Sequence, residues 1–135
     1  MAEKSNYIEL NDLEVYKLSR ELSSLAWDIY SQLTWQDKKI MGDQFIESTD
    51  SAGANIAEGY GRFHYLDRIK FYYNSRASYL ETERHWLSLL YERKKIDKDT
   101  YDKYQMTGKN FLVKLNNFIA STYKAKYQPY NDSKS

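Results

Sequence analysis

The chain has no cysteine, an absence that removes disulfides, thiolate metal sites and cysteine nucleophiles together. Proline occurs once and glycine five times in 135 residues. That is too little turn chemistry for a β-sandwich or barrel, so long uninterrupted helices are favoured. No run approaches the roughly 18 apolar residues of a membrane span, and no succession of basic, apolar and small residues opens the chain. It is therefore read as cytoplasmic, unprocessed and without a membrane partner. Neither charge dominates: 20 Lys and Arg stand against 19 Asp and Glu, a net of +1. This balance argues against a disordered polyelectrolyte or a simple polybasic arm. What is present, 41% apolar and 16% aromatic residues, suffices for the core of one soluble domain.

Apolar residues at helical spacing predict four helices. The first covers residues 12–33, with Asp12 as N-cap and a stripe of Leu18, Leu22, Leu25, Ile29 and Leu33. The second covers 37–58, with Ile40, Met41, Phe45, Ser48, Ala52, Asn55 and Ile56 inward; Gly59 and Gly61 then stop it by accepting a left-handed conformation. The third covers 66–93 with Ile69, Tyr73, Ala77, Leu80, Leu87 and Leu90, and the fourth follows Asp97 as N-cap with Tyr101, Tyr104, Gly108, Phe111, Leu115, Phe118 and Ile119. Short connections force antiparallel neighbours. The expected fold is all-α, an antiparallel up-down-up-down four-helix bundle over residues 12–127, with an N-terminal extension (1–11) and a disordered C-terminal tail (128–135).

Charge is divided along the chain. Residues 1–59 carry 5 basic and 11 acidic side chains, a net of −6, and residues 60–135 carry 15 and 8, a net of +7. Such segregation serves intramolecular complementarity, complementarity between subunits, or a positive face for an acidic partner.

Little here supports catalysis. Helix bundles recruit metals through Glu-x-x-His pairs, and neither His64 nor His85 has a Glu three residues before it. Glu81 and His85, four apart, read as an exposed ion pair. The run Gly53-Ala-Asn-Ile-Ala-Glu-Gly59 lacks the Lys-Ser/Thr of a phosphate loop and ends a helix instead of starting one. No Gly-x-Ser-x-Gly turn presents a nucleophile. No catalytic residue, metal or cofactor is expected.

The distinctive stretch is the connection between helices two and three. Glu58 at a helix C-terminus needs a cation, which Arg62 could supply. Asn55, on a core-facing stripe, needs partners for its amide. Asn55, Glu58 and Arg62 thus read as a capping network, with a partner surface as the alternative. Around it, Arg62, Arg68, Lys70 and Arg76 interleave with Tyr60, Phe63, Tyr65, Tyr72 and Tyr73. Cations for phosphate and aromatic faces for unpaired bases suit looped RNA, and Arg with Tyr also suits a protein interface. The 14 Tyr exceed what a small core needs, which weights this surface toward an oligomer interface ahead of a nucleic-acid platform.

The same residues carry a resemblance. Asn55-Ile-Ala-Glu-Gly-Tyr-Gly-Arg62, then Asp67-Arg-Ile-Lys-Phe-Tyr72 and Ala77-Ser-Tyr-Leu-Glu-Thr-Glu83, resemble the four-helix-bundle proteins of the 23S ribosomal RNA intervening-sequence family over residues 10–122. Asn55, Glu58, Gly59, Gly61 and Arg62 match its signature turn, and Ser78 and Glu81 the small-x-x-acid step of helix three. The chain departs from the pattern at Trp35-Gln36-Asp37, where members place a Phe-Pro turn, at Asp67 for Glu and at Ala77 for Gly. The resemblance implies a homopentamer without established enzymatic activity, similar to the accessory protein of diversity-generating retroelements, which binds nucleic acid and a reverse transcriptase. The resulting expectation is a non-enzymatic oligomeric protein that associates with RNA, plausibly ribosomal, through Tyr60, Arg62, Phe63, Tyr65, Arg68, Lys70, Tyr72 and Arg76. The alternative is a protein-interaction scaffold without RNA contact.

Overall fold

The computed structural model describes residues 8–125. The expected tail at 128–135 and residues 1–7 of the expected extension lie outside the described residues. Helix α1 is Glu14–Gln32, burying Val15, Ser19, Leu22, Ala26 and Ile29. Leu18 and Leu25 are only half-buried. Asp12 does not cap it: Leu10–Asp12 is a 3-10 turn, and the N-cap is Leu13, which offers no side-chain bond. Leu13 is itself buried, so apolar burial fixes the entry to the helix.

Helix α2 spans residues 35–60, as a short α-turn Trp35–Asp37, a π-helical turn Lys38–Gly42 and the α-helix Asp43–Tyr60. It starts two residues before the expected position because Thr34 caps it, its Oγ1 accepting the Asp37 N–H at 3.1 Å. Helix α3 spans 65–92, as Tyr65–Glu81, a second π-helical turn Thr82–Leu87, and Ser88–Glu92. Its end closes through Lys94 N–H to Tyr91 O (3.0 Å) and Lys95 N–H to Leu90 O (2.8 Å), with Lys94 left-handed at φ 60°. Helix α4 is Lys98–Ala125. Its cap is the expected one: Asp97 Oδ1 accepts the Thr100 N–H at 2.8 Å. Hydrogen bonds from Thr100, side chain first and backbone second, hold the Asp97 carboxyl below its ordinary range.

Each helix packs beside its two neighbours in a closed square, α1 against α2 and α4, α3 against α2 and α4. This is the antiparallel four-helix bundle, with no strand among the described residues. In its centre Phe45, Tyr79, Tyr104 and Phe111 are fully buried, and the rings of Tyr79 and Tyr104 lie nearly parallel at 6.3 Å. Thr49 and Tyr104 share a buried hydroxyl bond of 2.9 Å across the diagonal from α2 to α4. Burial raises the phenol pKa of Tyr79 and Tyr104, and lifts that of Tyr72 to about 12.

The inward face of α3 differs from the expected stripe. Ile69, Tyr72, Ser75, Tyr79 and Thr82 point in, followed by Leu87 and Leu90, while Tyr73 and Ala77 are exposed and Leu80 is half-buried. Hydroxyls sit in the core because they find partners there: Ser75 Oγ donates to Ala52 O at 2.6 Å, and the hydroxyls of Thr82 and Ser48 are bonded at 2.6 Å. The five-residue step from Thr82 to Leu87 is accommodated by the π turn. On α2 the corresponding turn leaves Ile40 exposed while Met41 is buried.

Candidate functional site

The signature stretch is first of all a place where two backbones approach. Gly59 lies inside α2, no described glycine has a positive φ, and Gly61 is right-handed at φ −83°. The expected left-handed glycine cap is therefore replaced by another role. A Cβ on Gly59 would come within 2.8 Å of Phe71 Cβ and of Tyr72 Cε1, and 3.1 Å of the Arg68 carbonyl. Glycine is required here so that α3 can start against the end of α2. Further up the same seam Ser78 Oγ donates to Ser51 Oγ at 3.1 Å, and the half-buried Asn55 turns its amide onto Ser51 O (2.9 Å) and Ser51 Oγ (3.1 Å). Asn55 thus satisfies itself along its own helix instead of joining the capping network.

Glu58 and Arg62 do pair, at 2.6 Å, as the turn's charges require. The Arg62 guanidinium lies 4.8 Å over the Phe71 ring, and its carbonyl accepts Arg68 Nε at 2.6 Å. These bonds clip the start of α3 to the turn. Arg76 donates to Asn116 Oδ1 of α4 at 2.7 Å and lies 4.7 Å over the Tyr73 ring. Lys70 is exposed, and Phe63 is 63% exposed. Tyr72 is 1% exposed, packed on Phe118 at 4.8 Å, so it is a core residue and not a contact residue as expected. Tyr60 directs its hydroxyl to Ile8 O, and Tyr65 is half-buried. The sequence-derived surface therefore keeps its cations and Phe63, half-buries Tyr60 and Tyr65, and loses Tyr72 to the core. The expected ion pair of Glu81 with His85 is also absent among the described residues: Glu81 accepts from Trp86 Nε1 at 2.9 Å, and His85 packs edge-on against the Trp86 ring. Among the described residues no group of three potential metal ligands gathers.

Charge is arranged by helix position more than by chain half. Helix α2 has Asp37, Asp43, Glu47, Asp50 and Glu58 against two lysines, and α4 has five lysines against Asp99 and Asp102. These two helices stand on the diagonal, so the acidic and basic edges are on opposite sides of the bundle. Helix α3 is balanced overall, but its first half, residues 65–80, adjoins the last half of α4, residues 108–125. Together these stretches carry Arg68, Lys70, Arg76, Lys109, Lys114 and Lys124 against Asp67 alone. At the other end of the bundle, an open groove of about 340 Å³ lies between α1, the 93–97 turn and α4, lined by Leu25, Asp28, Gln32, Ile96 and Lys103 among others. That end also exposes Trp27, which no sequence motif singles out, and Trp35, which the sequence marks only as a departure from the family's Phe-Pro turn. Trp27 lies on the polar side of α1 and Trp35 at the capped start of α2.

Residues 11–117 match the family model of the 23S rRNA-intervening sequence protein. Among solved structures, the chain is similar to a protein with unknown function from the S23 ribosomal protein family of Bacteroides thetaiotaomicron. Identity is 25% and the TM-score 0.72, over 78% of this chain and 97% of that one. No curated protein matches.

Proposed function

The chain belongs to the 23S rRNA-intervening sequence protein family, and on that footing we propose that it is a non-enzymatic, oligomeric RNA-associating protein of the bacterial cytoplasm. The observation that carries this reading is the run of six cations against one acid where the first half of α3 adjoins the last half of α4. Arg62 at the adjoining turn is paired with Glu58 and adds no net charge to that run. Phosphates supply most of the affinity in such contacts, and positioned cations provide for them without any catalytic group. Lys70, Lys109, Lys114 and Lys124 are exposed, whereas Arg62 and Arg68 are partly engaged in fixing the turn. The contact role therefore falls mainly on the lysines, and the arginines hold the surface in shape.

The test is a salt titration of RNA binding with Lys70→Gln, Lys109→Gln and Lys124→Gln combined. The expected outcome is weaker binding with a log–log salt slope smaller by about 0.7 for each lost single-strand contact. A triple variant that binds as the wild type does at every salt concentration assigns the RNA elsewhere.

A second reading, a self-assembling protein scaffold, is favoured by one specific observation. The acids Asp43, Glu47, Asp50 and Glu58 recur along the exposed side of α2, diagonally opposite the lysines of α4. Copies docked head to tail, acidic edge to basic edge, would generate a ring where the rotation between them closes. A five-membered ring would accord with the resemblance. Light scattering across salt tests it: a multimer that dissociates at high salt is expected, and a monomer at low salt excludes it.

A further inference from the structure

We propose that the end of the bundle around the α1–α2 turn is a stacking platform for the unpaired bases of single-stranded RNA, built on Trp27, Tyr30 and Trp35 with Lys38 and Lys39. The inference takes its ligand class from the RNA-associating reading, and uses none of the residues that carry that reading.

Trp35 is 74% exposed and Trp27 58%. Side chains of this size contribute most when removed from water, so two held in solvent beside one turn call for a partner. They are held in place, since both stand on or against helices. Trp27 stacks on Tyr30 at 5.5 Å and 26°, and the Tyr30 hydroxyl is anchored by donating to Asp43 Oδ1 at 2.7 Å. Lys38 lies 5.0 Å over the Tyr30 ring and Lys39 4.8 Å over the Trp35 ring. Trp27, Tyr30 and Lys38 thus form one chain of contacts, and Lys39 with Trp35 forms a second pair on the first turns of α2.

Of the acids at this end three are engaged, while Asp28, beside Trp27 in the chain, and Glu92, beside the 93–97 turn, are exposed. Asp37 is bonded to Lys95 at 3.0 Å, Asp43 takes the Tyr30 hydroxyl, and Asp97 caps α4. No acid among the described residues forms an ion pair with Lys38, Lys39 or Lys94. The Lys95–Asp37 bond ties the 93–97 turn to the start of α2, bringing Lys94 to the same end. The exposed rings of Trp27 and Trp35, with the ammonium groups of Lys38 and Lys39 beside them, meet what a single strand offers, bases to stack and phosphates to pair. Paired bases expose no face to stack on, so a duplex does not fit. A protein partner fits less well, because lysine is depleted at interface centres and here lysines lie on the rings themselves. Stacking on ring faces reads no base edge, so binding should be tolerant of sequence.

The experiment is tryptophan fluorescence of the full chain titrated with an unstructured oligouridylate and, separately, with duplex RNA, for the wild type and for Trp27→Ala, Trp35→Ala and Trp35→Phe. The half-buried Trp86 serves as the internal reference. Saturable quenching by the single strand alone is expected. Each alanine variant should bind about 5- to 100-fold more weakly, the loss of one base stack, and Trp35→Phe should retain most of the affinity. Because both side chains are exposed, circular dichroism should show the variants as helical as the parent. If oligouridylate binds but leaves the emission unchanged and the alanine variants bind normally, the platform is refuted while the α3–α4 reading stands. If the wild type binds no RNA, both fall. Emission that changes with protein concentration alone would mark the patch as a contact between copies and overturn the proposal.

Discussion

Where α2 meets α3 the side chains are small and hydroxylated: Ser48, Ser51, Ala52 and Gly59 from one helix face Ser75, Ser78 and Thr82 from the other, bonded at 2.6 to 3.1 Å. Where α1 meets α4 and the 93–97 turn, the groove is lined by Leu25, Ile29 and Ile96 together with Asp28, Gln32, Lys95, Asp97, Thr100 and Lys103, and about 340 Å³ is left open. The first contact derives its strength from proximity and satisfied polar groups, whereas the second leaves a mixed apolar and charged lining open to solvent. A close seam tolerates no added atom, and a slack one should tolerate many. Gly59 of the signature turn lies in the close seam, so at that position the motif records how near two backbones come, while Glu58 and Arg62 stay exposed.

The comparison is tested most severely by Gly59→Val. Its Cβ alone would meet Phe71, Tyr72 and the Arg68 backbone, so a loss of about 3 kcal/mol is expected in denaturant melts, the upper range for overpacking. An unchanged midpoint would show that α3 can back away.

High pH probes the same region. The buried phenol of Tyr72 has a folded pKa of about 12 against an ordinary value of 10.0, raised chiefly by burial. Above pH 10 the unfolded chain therefore loses that proton while the folded one keeps it. Stability should be full below about pH 10 and fall as pH climbs toward 12, with Tyr79 and Tyr104 adding to the slope. Tyr72→Phe should flatten the curve.

Thr82→Val, which removes the hydroxyl bonded to Ser48 without changing shape, should cost about 1 kcal/mol, the net worth of one buried hydrogen bond. Lys94→Gly should act in the opposite direction, stabilising by about 1 kcal/mol through relief of the left-handed backbone at φ 60°. In the slack seam, Gln32→Leu should shift the melt by less than about 0.5 kcal/mol. A large effect there would mean that the groove is closed in solution.

Much of this could be read from residue order. Four helices, the Asp97 cap and the Glu58–Arg62 pair follow from local rules, since each depends on neighbours within a few positions. Gly59 reads as a left-handed cap in the sequence because glycine serves both left-handed turns and close approach, and only the position of α3 decides between them. Tyr72 and Tyr73 are equivalent by composition; one is buried on Phe118 and the other lies under Arg76, a distinction set by α4. Tyr104 reaches the centre because Thr49, 55 residues away, accepts or donates at its hydroxyl. Trp27 and Trp35 escape any periodicity argument because they lie off the buried stripe.

The π-helical turn at Thr82–Leu87 works as a phase shifter. An unbroken α-spiral advances about 100° per residue, so removing one residue from this turn would let the helix close regularly around the same axis. Everything upstream would keep its orientation. The extra residue thus decouples two lengths of one rod: the part before it is set by the hydroxyl ladder against α2, and the part after it turns Leu87 and Leu90 into the core and delivers the chain to the 93–97 turn.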